Sequence, residues 1–348
     1  MHDAAFQELE IISQAVGNFP DMVQGGGGNT SVKLNDELMA VKASGYKLKQ
    51  VTRSEGFVLV NYKDIKDYFA RADLNSDIDY EKDSTAFLKK SVVKVEGLRD
   101  LRPSVEAGFH SILLKYVIHS HSVYANILCC SKKGEEIIRK VFSGKHYNIL
   151  WVPYVNPGFY LTLKIQEGIK CHIEKGGKFP KVIFMENHGL IVNSDSREEV
   201  IKLHEEVNES IKTFLHINSP YPEITLERVN DNTYLSRTTF LTDFFKNNLI
   251  SPDYFDVVAL YPDQLVYLND NISVDGMDNK LNINTKTGEI IYKSSFSEAM
   301  TMEETLLGYV YVVSKIKQCN LPIKTMTPEE IGFIKNWESE KYRKTLIK

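Results

Sequence analysis

The residues between Arg102 and Asn126, RPSVEAGFHSILLKYVIHSHSVYAN, include one carboxylate, Glu106, and three histidines, His110, His119 and His121. His119 and His121 form a His-x-His pair at the end of an apolar, β-branched run, Tyr116 to Ile118. In a strand, residues two apart point to the same face, about 6.6 Å apart along the chain. Two imidazoles placed so can converge on one cation, because a zinc–nitrogen bond is only about 2.0–2.1 Å long. The competing reading is a pair of partly buried strand histidines bonded to backbone. The preceding segment, Ser104 to Leu114, reads as a helix with Glu106 and His110 one turn apart. On that reading the carboxylate can face the histidine-bearing strand end, and His110 either orients it or packs as an ordinary helix histidine.

A second stretch with chemical character is GGGGNTSVKL, Gly25 to Leu34. Four glycines remove every Cβ from a turn, so backbone N–H groups can approach a ligand closely. Asn29, Thr30 and Ser31 add hydrogen-bonding side chains at its exit. The combination suits a phosphate cradle, although a glycine-rich turn alone is more often a plain loop. No Gly-Lys-Ser/Thr follows, so it is not a Walker loop, and Thr30 and Ser31 break the pattern of a dinucleotide-binding turn.

Periodicity gives the elements that must position these groups. Phe6, Leu9, Ile12 and Val16 share one side of a helix over 3–16. Residues 31–34 and 38–42 form a hairpin turning at Asn35-Asp36, which leads into Ala43-Ser44-Gly45, a strand over 57–60 and a helix near 62–71. Arg71 to Lys82 is an Asp-rich, exposed connection without the spacing of a calcium loop. Helices are expected at 133–142 and 160–172, with Trp151 to Phe159 a rigid, proline-containing connection between them. Residues 182–212 read as strand, turn, strand and helix, with His188 in the Asn-His-Gly turn and Ser196 to Glu199 as a capping box. The prolines of SPYPEI mark a boundary near 220, dividing a first domain, 1–220, from a smaller α/β region, 221–348. In the latter, strands are expected near 256–261, 264–268 and 289–293 and helices near 300–317 and 328–344.

Composition narrows the function classes. A chain of 348 residues suits about two domains, and 43% hydrophobic with 25% charged residues is ordinary for a soluble globular protein. A net charge of −4 gives no electrostatic reason to expect nucleic acid. No run approaches the roughly 18 apolar residues of a membrane span. The N-terminus lacks the basic and apolar regions of a signal peptide. Cys129, Cys130, Cys171 and Cys319 show no C-x-x-C spacing, so a reduced, cytoplasmic setting is expected.

Five short motifs in order complete the sequence reading: Gly27 to Ser31, Ala43 to Gly45, Pro103 to Glu106, His119 to His121 and Asn187 to Gly189. Together they resemble the class II aldolase/adducin family, the zinc-dependent sugar-phosphate aldolases. The chain is most similar to the aldolase part of bifunctional rhamnulose-1-phosphate aldolase/alcohol dehydrogenase proteins, although no dehydrogenase domain is expected here. The resemblance implies an α/β, three-layer fold with a mainly antiparallel central sheet flanked by helices. It implies zinc, or another divalent transition metal, on His119, His121 and His188, with an open position for substrate. It implies reversible cleavage of a ketose 1-phosphate to dihydroxyacetone phosphate and an aldehyde, with zinc stabilising the enediolate and Glu106 as acid/base. Gly28, Asn29, Ser44, Gly45 and Ser104 would hold the phosphate through neutral donors. Val105 stands where such aldolases often have a second serine, and the tyrosine that some of them take from a neighbouring subunit as acid for the aldehyde oxygen has no matching motif, with Tyr124 and Tyr154 as candidates. A homo-oligomer, possibly a tetramer, is implied by analogy. Two other functions stay open: a sugar-phosphate epimerase or dehydratase on the same metal site, and a non-catalytic, adducin-like interaction module.

Overall fold

In a computed structural model that describes residues 3–337, the chain forms two sheets with helices on their faces. The first sheet uses β1 (Asn29–Lys33), β2 (Leu38–Lys42), β3 (Phe57–Asn61), β4 (Val92–Val93), β5 (Tyr116–Ser120), β6 (Ile149–Val152), β7 (Val182–Met185) and β8 (Gly189–Ser194). Their spatial order is β4-β3-β2-β1-β5-β8-β7-β6. Every pairing is antiparallel except β6 with β7. This is the mainly antiparallel central sheet that the resemblance implies.

Alternation along the strands builds the three layers. Val32, Ala40, Leu59, Ile118, Phe184 and Val192 enter one apolar core. Their neighbours Val41, Val58, Val60, Val117, Ile183 and Ile191 enter cores on the opposite face. Val117, Ile118, Ile191 and Val192 are fully buried, and each such side chain contributes roughly 1.5–3 kcal/mol of transfer free energy. One face is covered by α1 (Asp3–Gly17), which buries Phe6, Leu9, Ile12 and Val16 as its periodicity predicts. The other carries α2 (Tyr62–Ala70), α3 (Tyr80–Lys90) and the short α4 (Ala107–Ile112). Further along lie α5 (Val123–Cys129), α6 (Gly134–Val141), α7 (Phe159–Glu174) and α8 (Arg197–Phe214), the last capped by Ser196, whose hydroxyl accepts the Glu199 N–H.

The second sheet has the order β11-β12-β13-β10-β9. Its strands are β9 (Leu226–Asn230), β10 (Thr233–Ser236), β11 (Ile272–Val274), β12 (Leu281–Ile283) and β13 (Ile290–Lys293). Around it are α9 (Thr239–Asn247), α10 (Tyr254–Val257), α11 (Pro262–Gln264), α12 (Phe296–Gln318) and α13 (Pro328–Asn336). α12 is buried on almost every side, with Leu306, Leu307, Val310 and Val313 in the core and Glu303 and Glu304 buried among hydrogen-bond partners. The same apolar cluster runs without a break from Val32 and Leu190 to Leu307 and Tyr292.

Several expectations are corrected. Trp151 belongs to β6 rather than to a connection. Residues 256–261 and 264–268 are not strands: the first begins in α10, and the second lies in a helical turn that follows Pro262 and widens to π geometry at Leu265–Asn269. A short apolar run cannot be assigned to strand or helix by period alone, and Pro262 at the first helical position favours the helix. The expected helix over 328–344 is seen as α13, and its residues 338–344 lie outside the described ones. Among the described residues, no helix is long and apolar enough to cross a membrane.

Candidate metal centre

Strand register brings the chemical groups to one end of the central strands. In β1 and β5, Asn29 lies opposite His119, and His119 in turn lies opposite Ile191 of β8. His121 follows the end of β5, and His188 precedes β8 in the Asn-His-Gly turn. Asn187 takes the left-handed conformation, at φ 49°, which asparagine tolerates and a turn this tight requires. At Gly189 a Cβ would meet the Ser120 carbonyl oxygen at 2.5 Å, so glycine lets the turn close against β5.

The three imidazoles meet. Ring centroids are 4.8 Å apart for His119 and His121, 5.0 Å for His119 and His188 and 5.3 Å for His121 and His188. One ligand atom from each lies within 4.8 Å of the others, and all three residues are buried. The outer nitrogens of two rings are already engaged. His119 Nδ1 lies 3.1 Å from the Leu190 carbonyl oxygen, and His121 Nδ1 lies 2.6 Å from Asp263 Oδ2. Both partners are acceptors, so both Nδ1 atoms carry the proton. The two Nε2 atoms face each other at 3.1 Å. Two buried acceptors at that distance repel unless a proton or a cation lies between them. Burial, reinforced by His121 and His188, outweighs Glu106 and pushes the His119 imidazole well below its ordinary value. The neutral ring is the form that ligates. The residues therefore fit a divalent cation on three nitrogens, a set that leaves a position open.

Glu106 stands beside this cluster. Its Oε1 is 3.3 Å from His188 Nε2 and 3.6 Å from His119 Nε2. Its Oε2 accepts from Asn29 Nδ2 at 2.9 Å. The same Nδ2 donates to Ser104 Oγ at 2.8 Å, and the Glu106 N–H donates to that oxygen at 3.2 Å. Burial favours the protonated carboxyl, but the neighbouring imidazoles outweigh it and hold Glu106 well below the usual carboxylate range. An ionised carboxylate held within reach of an open ligand position can act as a base.

The helix expected over Ser104 to Leu114 is shorter. Glu106 precedes α4, and its side chain is aimed by Asn29 rather than by His110. His110 Nδ1 instead pairs with Ser31 Oγ at 2.7 Å inside the protein.

One pocket takes in the other sequence candidates. Gly28, Asn29, Ser44, Gly45 and Ser104 line it together with Glu106, His121 and His188. An antiparallel bridge between Ala43 and Pro103, with the Ser44 N–H on the Arg102 carbonyl at 2.9 Å, sets Ser44 and Gly45 beside Ser104. Val105 also lines the pocket and packs against the apolar cluster of Leu265 and Trp337, which explains an aliphatic residue there. Neither tyrosine candidate lines the pocket of its own chain: Tyr124 is buried and its hydroxyl donates to Asp21, while Tyr154 packs in the Trp337 cluster.

Sequence reasoning missed Lys42, Pro157, Pro262, Asp263 and Trp337 in the pocket wall. Lys42 is only 3% exposed. Its signal was a lone charge ending the apolar strand LMAVK, immediately before Ala43-Ser44-Gly45. No local pattern links Asp263 or Trp337 to histidines 75 or more residues earlier in the chain.

Known proteins resemble the chain over the segment that carries the histidines. The family profile described as "Class II Aldolase and Adducin N-terminal domain" matches residues 13–215, more than half of the chain. The chain belongs to the class II aldolase and adducin family. All five sequence motifs fall inside the matched segment. A curated relative from Bacillus subtilis (strain 168), "Uncharacterized oxidoreductase YuxG", is 27% identical over 201 residues, which are 55% of this chain and 27% of that protein. The match thus spans about a quarter of the relative's length. Its oxidoreductase name is in keeping with the fused architecture of the subgroup the motifs resemble. Among solved structures, the N-terminal class II aldolase domain of a conserved protein from Thermoplasma acidophilum is 27% identical, covers 60% of this chain and 92% of its own, and has a TM-score of 0.50. A weaker likeness is to L-fuculose-1-phosphate aldolase from Thermus thermophilus, at 13% identity, 63% and 100% coverage and a TM-score of 0.39.

Proposed function

We propose that this member of the class II aldolase and adducin family is a metal-dependent aldolase. It cleaves a ketose 1-phosphate reversibly to dihydroxyacetone phosphate and an aldehyde. The observation that carries the reading is the pair of imidazole nitrogens, His119 Nε2 and His121 Nε2, facing each other at 3.1 Å with His188 alongside. Zinc, or another divalent transition metal, held by His119, His121 and His188 would supply a Lewis acid beside the substrate carbonyl.

The chain's own groups account for the rest. Breaking the C3–C4 bond turns the C4 hydroxyl into the aldehyde carbonyl, passes its proton to the Glu106 carboxylate and leaves the electron pair on C3. The Glu106 carboxyl returns a proton to C3; in the synthetic direction its carboxylate removes that proton. Asn29, by donating to Oε2, keeps Oε1 turned toward the reacting carbon. Lys42, Ser44, Gly45 and Ser104 line the same pocket and hold the phosphate, Lys42 by charge and the others by O–H and N–H donors. The Ser104 oxygen accepts both of its protein hydrogen bonds, so its own O–H can donate to the phosphate.

The test is a panel of ketose 1-phosphates incubated with metal-loaded protein, with dihydroxyacetone phosphate measured by enzymatic reduction. Release from at least one sugar, abolished by a chelator, is expected. Interconversion of pentose 5-phosphates without release of a three-carbon product would replace the aldolase by an epimerase.

A further inference from the structure

We infer that Asp263 is a positioning residue for the metal centre, and that the chain beyond residue 220 forms part of that site. The inference deepens the metal reading above and rests on it. Asp263 Oδ2 lies 2.6 Å from His121 Nδ1, and Asp263 is 2% exposed. A buried carboxylate on the outer nitrogen of a ligating imidazole fixes its tautomer, holds the ring plane and makes the inner nitrogen more basic.

The turn that presents Asp263 is itself fixed. The Leu260 N–H donates to Gln264 Oε1 at 2.8 Å, Gln264 Nε2 donates to the Phe255 carbonyl at 2.7 Å, and Gln264 is fully buried. The glycine-rich loop is shaped around the pair. A Cβ on Gly27 would lie 2.2 Å from Asp263 Oδ2 and 2.5 Å from His121 Nδ1. Only a residue without a side chain lets the loop pass the Asp263–His121 bond.

Two more contacts from the same half of the chain hold the other site segments. Glu304 Oε2 accepts the Gly25 N–H at 3.0 Å at the start of the glycine loop. Asn187 Nδ2, next to His188, donates to the carbonyls of Leu260 at 2.7 Å and Lys324 at 2.9 Å. The glycine loop, His121 and the His188 turn are thus each anchored by groups that follow residue 220. Pro262 and Trp337 add wall to the pocket.

The experiment measures zinc affinity by competition with a chromophoric chelator for the full chain and for Asp263→Asn and Asp263→Ala. Asp263→Ala should bind zinc about 10–100-fold more weakly. Asp263→Asn, which keeps an acceptor oxygen of nearly the same shape, should lose less and guards against a simple folding defect. Cobalt-substituted protein should show an altered visible spectrum in Asp263→Ala. Asp263→Ala should also add little further loss once His121→Ala is present. Wild-type protein that takes up no zinc would overturn the metal reading and this inference with it. Wild-type protein that binds zinc while both Asp263 variants bind it equally well would overturn this inference alone.

Discussion

Replacing Glu106 by glutamine separates catalysis from metal holding. The carboxylate makes one fixed bond, accepting from Asn29 Nδ2 at 2.9 Å, and glutamine can keep it with its carbonyl oxygen. The amide NH2 then faces His188 Nε2 and His119 Nε2, which lie 3.3 and 3.6 Å from Glu106 Oε1. A charge-assisted hydrogen bond becomes a neutral one, at a cost of about 1 kcal/mol in stability. The imidazoles do not depend on this carboxylate for their aim, since the Leu190 carbonyl and Asp263 set two of the rings. Metal content should therefore stay at the wild-type level. The rate should not: an acid/base group contributes roughly 10²–10⁴-fold, or about 3–5 kcal/mol of barrier. The assay pairs kcat for release of dihydroxyacetone phosphate with metal content of the same sample. A variant that turns over at the wild-type rate, or one that loses metal and rate together, would refute the assignment of Glu106.

Lys42→Met should raise KM for a phosphorylated substrate at least about tenfold, as loss of a charged hydrogen bond to phosphate requires; an unchanged KM would remove Lys42 from the phosphate site. Glu303 is fully buried and accepts from Ser236 at 2.7 Å, Thr238 at 2.5 Å and Tyr292 at 2.5 Å, so Glu303→Ala strands three hydroxyls and should cost at least about 3 kcal/mol in urea unfolding. His204, buried on Ser120, is pushed down to about 4 by burial. Its unfolded value is about 6.5, so between these limits the unfolded chain binds more protons and stability falls as pH is lowered. The loss from this residue should reach about 2 kcal/mol at pH 5, and His204→Gln should flatten the pH dependence of unfolding by that amount.

Much of the site was legible because strand geometry is local. The two-residue spacing of His119 and His121, and the apolar alternation of 38–42 and 182–192, needed no long-range knowledge to interpret. Motif order then brought in His188 and the phosphate candidates, which line one pocket. What escaped was decided by distant contacts. His110 follows Glu106 by one helical turn in sequence, yet the helix starts only after Glu106, and His110 turns to Ser31. Leu260 to Leu268 is almost wholly buried, and burial does not distinguish a strand from a helical turn. Asp263 acquires its role only when folding brings it 2.6 Å from a ring 142 residues earlier in the chain.

The central claim is that three imidazoles share one divalent cation. Metal content per chain, measured on wild-type protein equilibrated with zinc and then freed of excess, tests it most directly, with His121→Ala and His188→Ala alongside. The account predicts about one ion per wild-type chain and far less in either variant. Wild-type protein without bound metal, or a His188→Ala variant that retains a full complement, would contradict it.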